Sequence, residues 1–465
     1  MSLLNNNEIK HIHFIGIGGA GMSGIAEILV SRGYQVSGSD VAENAATKQL
    51  QAMGAKILRG HAATNINNAD VVVYSSAISP DNSELTAAQQ ARIPVLQRAQ
   101  MLGELMQSQI GIAIAGTHGK TTTTGLVSTV LIEAELDPTF VIGGLLVSFG
   151  ANARVGNGQY FVAEADESDK SFLYLSPKIV VVTNIDADHL NNYGNFANLK
   201  QTFVHFIERL PPDGLAILCS DDPVICELLP QIKRRVITYG FQPSDTVHAL
   251  SYVQQGTRCQ ISVVRQFKTD ILEVTLNLPG RHNVLNALAA IAVATHCGIS
   301  DEVIARALTR YQGTGRRFQV YGEIPLSEGQ VLLIDDYGHH PREIAATIEG
   351  IRKAWPERRL VVAFQPHRYS RTQSIFDDFV QALTLPDVLL LLDIYSAGEA
   401  PIPGVTGKVL YDAIHQQSKT EVHFIENVSE LPLMLRRVLK SGDILLTQGA
   451  GDIGKIAPQI SQMKL

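Results

Sequence analysis

The segment IAIAGTHGKTTTTG, Ile112 to Gly125, sets a strand, a glycine turn and a helix in immediate succession. The apolar run ends at Ala115, Gly116-Thr117-His118-Gly119 turns the chain, and Lys120 and Thr121 open the helix. Backbone N–H groups of such a turn converge on phosphate oxygens, and the positive end of the helix reinforces them. Lys120 is placed to reach the outer phosphates, and the Thr121 hydroxyl is suited to a magnesium ion. Thr117, His118 and Thr122 complete the expected nucleotide set. The loop is short: where the general pattern carries a further glycine, five residues before Gly119, stands Ile114.

A strand that feeds a helix through a phosphate turn belongs in a parallel sheet covered on both faces, and the flanking sequence supplies one. Strands are predicted at Ile110–Ala115, Gln159–Ala163, Ile179–Thr183, Ala216–Cys219 and Val236–Tyr239. Residues 247–278 alternate like antiparallel strands, with a hairpin turn at Gly256. Ahead of this unit, His11–Ile17, Gln35–Ser39 and Asp70–Tyr74 form a first sheet. Beyond GTGRRF, Gly313–Phe318, the strands Val331–Ile334, Leu360–Phe364, Val388–Leu392 and Ile444–Thr447 form a third. The fold class is therefore α/β throughout, and 465 residues exceed what one hydrophobic core usually holds.

The first sheet has its own glycine turn. Gly16, Gly18 and Gly21 match G-x-G-x-x-G between a strand and a helix, and Asp40 ends the next strand, where it can accept a bond from a ribose hydroxyl. NAD, FAD or another nucleoside diphosphate would fit. Gly18, Gly19, Ala20, Gly21 and Met22 are the expected contacts, with Ser75 and Ser76 as phosphate donors or simple turn caps. A dehydrogenase would use this turn and leave GKT idle; a simple ATPase would do the reverse. An enzyme that joins a nucleotide-linked substrate to something else at the expense of ATP uses both.

Magnesium needs oxygen or imidazole partners. Glu164, in the run EADESD, and His189, closing TNIDADH, both follow predicted strands; Asp166, Glu167 and Asp169 rival Glu164. Net charge is −7 with no basic block, which argues against nucleic acid as a partner. No run reaches the ~18 apolar residues of a membrane span, and the start of the chain lacks a secretory pattern. Cys219, Cys226, Cys259 and Cys297 have no metal-ligand spacing and read as buried thiols of a reducing compartment. A cytoplasmic protein, without membrane insertion, is expected.

The chain resembles the Mur ligase family from end to end, through GIGGAGMSGIAEIL with VSGSD, GTHGKTTTT, EADESD, TNIDADHL, GRHNVLNALAA, GTGRRF, DDYGHHPREI, FQPHRYSRT and TQGAGDI. The resemblance implies three domains: a Rossmann-like UDP-binding domain at 1–98, a central P-loop ATPase-like domain at 99–314, and a Rossmann-like α/β domain at 315–465. It implies ATP and Mg2+, with UDP-N-acetylmuramate and L-alanine as partners, in a monomer or weak homodimer. Lys120 would neutralise the moving phosphoryl group, Thr121 and Glu164 would hold one magnesium, and His189 would lie near a second. Arg317 and Asp336 resemble groups that meet the ATP phosphates, and Asn283 an adenine-side contact. His339, Arg368 and Arg371 resemble groups that orient substrate; His340 is left without a role. Several relatives carry a carbamylated lysine where Phe203 stands here, with Lys200 one turn earlier as a solvated residue, and that departure favours the alanine-adding branch. Ligation of a murein tripeptide is the near alternative, and a nucleotide-binding module without catalysis the distant one.

Overall fold

The computed structural model describes residues 3–5, 8–75 and 77–463. Its first sheet comprises β1 (His11–Ile15), β2 (Gln35–Asp40), β3 (Lys56–Arg59), β4 (Val71–Tyr74) and β5 (Val95–Gln97), in the order β3-β2-β1-β4-β5. All pairs are parallel. Ile12, Phe14 and Ile15 of β1 are fully buried, as expected of a strand with helices on both faces. Because β2 and β4 flank β1 on opposite sides, the chain leaves β1 where a crevice opens at the strands' carboxyl ends. The strand stops at Ile15, two residues earlier than the apolar run predicts, because Gly16 turns away with φ 81°.

The second sheet holds β6 (Ile110–Ala115), β7 (Thr139–Leu146), β8 (Ala151–Arg154), β9 (Tyr160–Glu164), β10 (Ile179–Val182), β11 (Leu215–Cys219), β12 (Arg235–Gly240), β13 (Val247–Gln255), β14 (Arg258–Arg265) and β15 (Leu272–Leu276). Its order is β15-β14-β13-β12-β11-β10-β6-β9-β7-β8. β13 and β14 meet through Gly256 and Thr257, a turn that only an antiparallel pair allows. The antiparallel hairpin β7–β8 is absent from the sequence reading, because GGLLVSFG does not alternate.

The third sheet comprises β16 (Gln319–Pro325), β17 (Gln330–Asp336), β18 (Leu360–Phe364), β19 (Val388–Leu392), β20 (Glu421–Ile425) and β21 (Ile444–Gln448), in the order β16-β17-β21-β18-β19-β20. Only β16 is antiparallel. Val331, Leu333, Val361, Ala363, Leu390 and Leu445 form one face of its core.

The three sheets fall into two compact units. One contains residues 1–252, 261–275 and 285–312; the other contains 253–260, 276–284 and 313–465. Within the first unit, helix Ala20–Ser31 of the first sheet packs on β7 and β8, so closely that a Cβ at Gly24 would lie 2.9 Å from Ala153. Both glycine turns belong to this unit. Among the described residues no helix is long and apolar enough to cross a membrane. Cys219 and Cys259 are buried as expected, whereas Cys226 is exposed, since the short helix Pro223–Leu228 turns it to solvent.

Candidate functional site

The phosphate turn rises from the middle of the second sheet, between β6 and helix Lys120–Glu133. Gly116 has φ 126° and Gly119 φ 82°, conformations that side chains disfavour. Space is also lacking: a Cβ on Gly116 would lie 2.1 Å from Thr183 Oγ1, and one on Gly119 2.6 Å from Asn286 Oδ1. The segment after β10 braces the turn. Thr117 N donates to Asn184 O at 3.0 Å, His118 N to Asn184 Oδ1 at 2.8 Å, and Asn184 Nδ2 and Thr183 Oγ1 both donate to His118 O. His118 Nε2 lies 3.1 Å from Asp186 Oδ2. Asn286, one turn beyond Asn283, accepts from Thr123 Oγ1 at 3.1 Å.

Lys120 turns into the loop. Its Nζ donates to Gly116 O at 2.6 Å and Thr117 O at 3.0 Å, and lies 2.8 Å from Glu167 Oε2. Burial works against its charge, but Glu167, Asp166 and Glu164 outweigh burial and raise its pKa. Glu167 is buried, and desolvation pushes it up to about 7 despite Lys120. Asp166 titrates low: desolvation opposes this, and Lys120, hydrogen bonds from Ser168 and, more weakly, Arg98 overcome it. A fixed ammonium amid three carboxylates is a built electrostatic site, and such fixed charges act most strongly where water is excluded.

Thr121 and Glu164 come together as expected. Thr121 Oγ1 donates to Glu164 Oε1 at 3.0 Å, and Gly143 N of β7 holds Glu164 Oε2 at 2.8 Å. One hydroxyl and one oriented carboxylate suit a hard cation such as magnesium. His189 sits in the left-handed region, φ 56°, at the end of the segment after β10, with Nε2 3.5 Å from its neighbour Asp188. Thr122 is buried in the helix.

In the first sheet, Gly18 N donates to Asp40 Oδ2 at 2.8 Å and Asn44 Nδ2 donates to Gly18 O at 3.0 Å. Asp40 thus fixes the glycine turn, a bond its position at a strand end does not reveal. Helix Ala20–Ser31 begins at Ala20, with Gly19 as its cap and Met22 buried, so that Met22 offers the site its backbone only. Ser75 Oγ accepts from Ala77 N at 3.3 Å, the turn-capping role. Ser76 lies outside the described residues.

In the second unit, Asp336 is buried and accepts from Phe318 N, Gly338 N and Gln448 Nε2 at 2.9–3.0 Å. Asn283 donates to Pro279 O at 2.8 Å. Arg317 lies over the Tyr337 ring at 4.8 Å, Tyr337 meets the ring of His339 at 5.5 Å, and His339 meets His367 at 5.7 Å. Arg371 Nη1 is 3.3 Å from His367 Nδ1, and His367 stacks on Tyr395 at 5.6 Å. The three expected residues Arg317, His339 and Arg371 are thus joined by Tyr337 and His367, which sequence reasoning left without roles although both sit inside the motifs. Arg368 has φ 74° and approaches Glu399 at 3.9 Å. His340 caps helix Pro341–Ala354 reciprocally with Glu343. Phe203 is fully buried against Phe172 at 5.2 Å. Lys200 is not simply solvated: it pairs with Glu227 at 2.7 Å.

Three family models match in succession: the Mur ligase family catalytic domain over residues 11–110, the Mur ligase middle domain over 114–294, and the Mur ligase glutamate ligase domain over 316–451. Among solved structures, UDP-N-acetylmuramate-alanine ligase MurC of Thermotoga maritima is 31% identical, covers 97% of this chain and 98% of its own, and superposes with a TM-score of 0.80. The UDP-N-acetylmuramate:L-alanyl-gamma-D-glutamyl-meso-diaminopimelate ligase of Neisseria meningitides is 29% identical, covering 66% of this chain and 99% of its own, with a TM-score of 0.60. A murein peptide ligase of Psychrobacter arcticus, 24% identical over 98% of this chain and 100% of its own, shares the fold with a TM-score of 0.70. With matched segments spanning nearly its whole length, this chain belongs to the Mur ligase family.

Proposed function

We propose that the protein joins L-alanine to the lactyl carboxylate of UDP-N-acetylmuramate at the expense of ATP, in the cytoplasm. The observation that carries this reading is the pairing, in one compact unit, of a diphosphate turn fixed by Asp40 with a triphosphate turn that holds Lys120, Thr121 and Glu164 together. Ligases are the activity class of the family, and the similarity to the Thermotoga maritima alanine ligase over nearly all of both chains supports the choice of substrates.

In this reading a carboxylate oxygen attacks the γ-phosphorus, ADP leaves, and the alanine amine attacks the acyl carbon, expelling phosphate and losing a proton. Lys120 neutralises charge on the transferred group, and the turn's N–H groups cradle it. Magnesium held by Thr121 and Glu164, with His189 near a second ion, would polarise phosphoryl oxygens. Residues 1–98 would carry the UDP portion, 99–314 the ATP with Asn283 on its adenine side, and 315–465 the amino acid, with Arg317 and Asp336 serving the phosphates. His339, Arg368 and Arg371 would orient substrate, arginine through its bidentate fork.

Oxygen-18 placed in the substrate carboxylate should appear in the released phosphate; turnover without that transfer rules out the acyl phosphate. Similarity to the Neisseria meningitides ligase favours, as a second reading, a tripeptide in place of alanine. Phosphate release with the tripeptide but not with alanine would select it.

A further inference from the structure

Arg98 opens the helix Arg98–Met106 at the carboxyl end of β5, beside the glycine turn of the first sheet. Its side chain lies across the start of helix Ala20–Ser31. A Cβ built on Gly21 would come within 3.1 Å of Arg98 Cδ, 3.2 Å of Nη1 and 3.5 Å of Nε. A side chain at Gly21 would crowd the arginine, which would have to give by a few tenths of an ångström. In G-x-G-x-x-G turns the third glycine ordinarily allows close packing of helix on strand; here the group packed against it is a guanidinium. From the other side, Arg98 Nη2 lies 4.0 Å from Asp166 Oδ2, just beyond β9. The side chain keeps a quarter of its surface exposed, so the cation is neither sealed in a core nor loose in solvent.

We propose that Arg98 is a substrate-positioning cation: packed against Gly21 and steadied by Asp166, it neutralises the diphosphate of the nucleotide-linked substrate held by the glycine turn. This rests on the reading of that turn as the UDP site. The chemistry is specific. A diphosphate carries more charge than backbone N–H groups and one helix end offset, and a guanidinium offers donors in a planar fork that fits phosphate oxygens. Asp166 also faces Lys120 electrostatically, so the carboxylate that steadies Arg98 belongs to the same charged group as the triphosphate turn.

The assignment makes Gly21 and Arg98 one functional element, and this is testable by a double-mutant cycle. UDP binding by calorimetry, and KM for UDP-N-acetylmuramate and for ATP, are measured for the full-length chain and for Arg98→Ala, Arg98→Lys, Gly21→Ala and the Gly21→Ala/Arg98→Ala double variant. Arg98→Ala should weaken UDP about tenfold or more and raise KM for the UDP-sugar to match, while KM for ATP moves by less than about twofold. Arg98→Lys, which keeps the apolar stem, should recover part of the affinity. Gly21→Ala, which crowds the guanidinium, should weaken UDP, and its penalty should shrink once Arg98 is alanine. A purely structural Arg98 would lower the unfolding temperature and leave UDP affinity untouched. Unchanged UDP affinity in Arg98→Ala, or an additive penalty in the double variant, overturns the assignment alone. A wild-type protein that ignores UDP overturns the reading of the site along with it.

Discussion

Lys120 is held charged by Glu167, Asp166 and Glu164, and it is the cation that opposes the burial of Glu167. In the proposed reaction Lys120 neutralises the transferred phosphoryl group, so Lys120→Met should lower phosphate release by about a thousandfold. The substitution would also leave Glu167 buried without its cation, and the carboxyl, already pushed up to about 7, would take up a proton at a cost in stability. Adding Glu167→Gln should therefore restore much of the lost unfolding temperature without restoring turnover, which separates the structural share of the pair from the catalytic one. Gly143 tests the metal assignment in the same way. Its N–H holds Glu164, and a Cβ there would lie 2.8 Å from Glu164 Oε2. Gly143→Ala should raise the magnesium concentration for half-maximal activity about tenfold, as loss of a group orienting a metal ligand does. Mn2+ binding followed by electron paramagnetic resonance should weaken in parallel; unchanged Mn2+ affinity would remove Glu164 from the ligand set.

At the scale of elements, β1 and β2 of the first sheet are tied to the helix Ser83–Gln90 by a buried carboxylate. Glu84 is fully buried and accepts from Ser39 Oγ at 2.5 Å and Asn65 Nδ2 at 2.5 Å, with His61 Nδ1 3.1 Å and His13 Nε2 3.8 Å away. Burial opposes its charge, but His13, Ser39 and Asn65 overcome burial and bring its pKa down to about 2. An ordinary glutamate titrates near ~4.3. The folded-state pKa is the lower one, so the stabilisation is fully present above about pH 4.3 and is lost as pH falls from there toward 2. By linkage this amounts to roughly 3 kcal/mol. Thermal unfolding of the wild type and of Glu84→Gln, compared across that range, should show a gap at pH 6 that closes toward pH 2. A gap independent of pH would mean that the carboxylate's charge is not what binds these elements. The hairpin β7–β8 shows the other kind of element: its sequence lacks alternation, and it forms because β9 supplies β7 with a parallel partner and helix Ala20–Ser31 lies against it.

For the whole molecule, both glycine turns fall within one of the two compact units. UDP should therefore slow hydrogen exchange at Gly16–Gly21 and Asp40 within that unit, since a ligand protects the segments whose opening it opposes. Protection mapped only to residues 313–465 would displace the UDP site altogether. The sequence by itself determined the class of fold and the place of both glycine turns in it. Buried parallel strands read as short apolar runs, and a turn of glycines followed by lysine and threonine is a local device whose parts are adjacent in the chain. Thr121 and Glu164 were legible because each stands at a strand end or helix start, and sheets collect such positions along one edge. Only the tertiary structure decided the partners that come from far along the chain: Asn286 against Gly119, Gly143 on Glu164, Glu167 on Lys120, and Arg98 over Gly21. No periodicity encodes those pairings. They depend on which strands are neighbours and on how closely a helix can approach a sheet, quantities that arise only when the chain is packed.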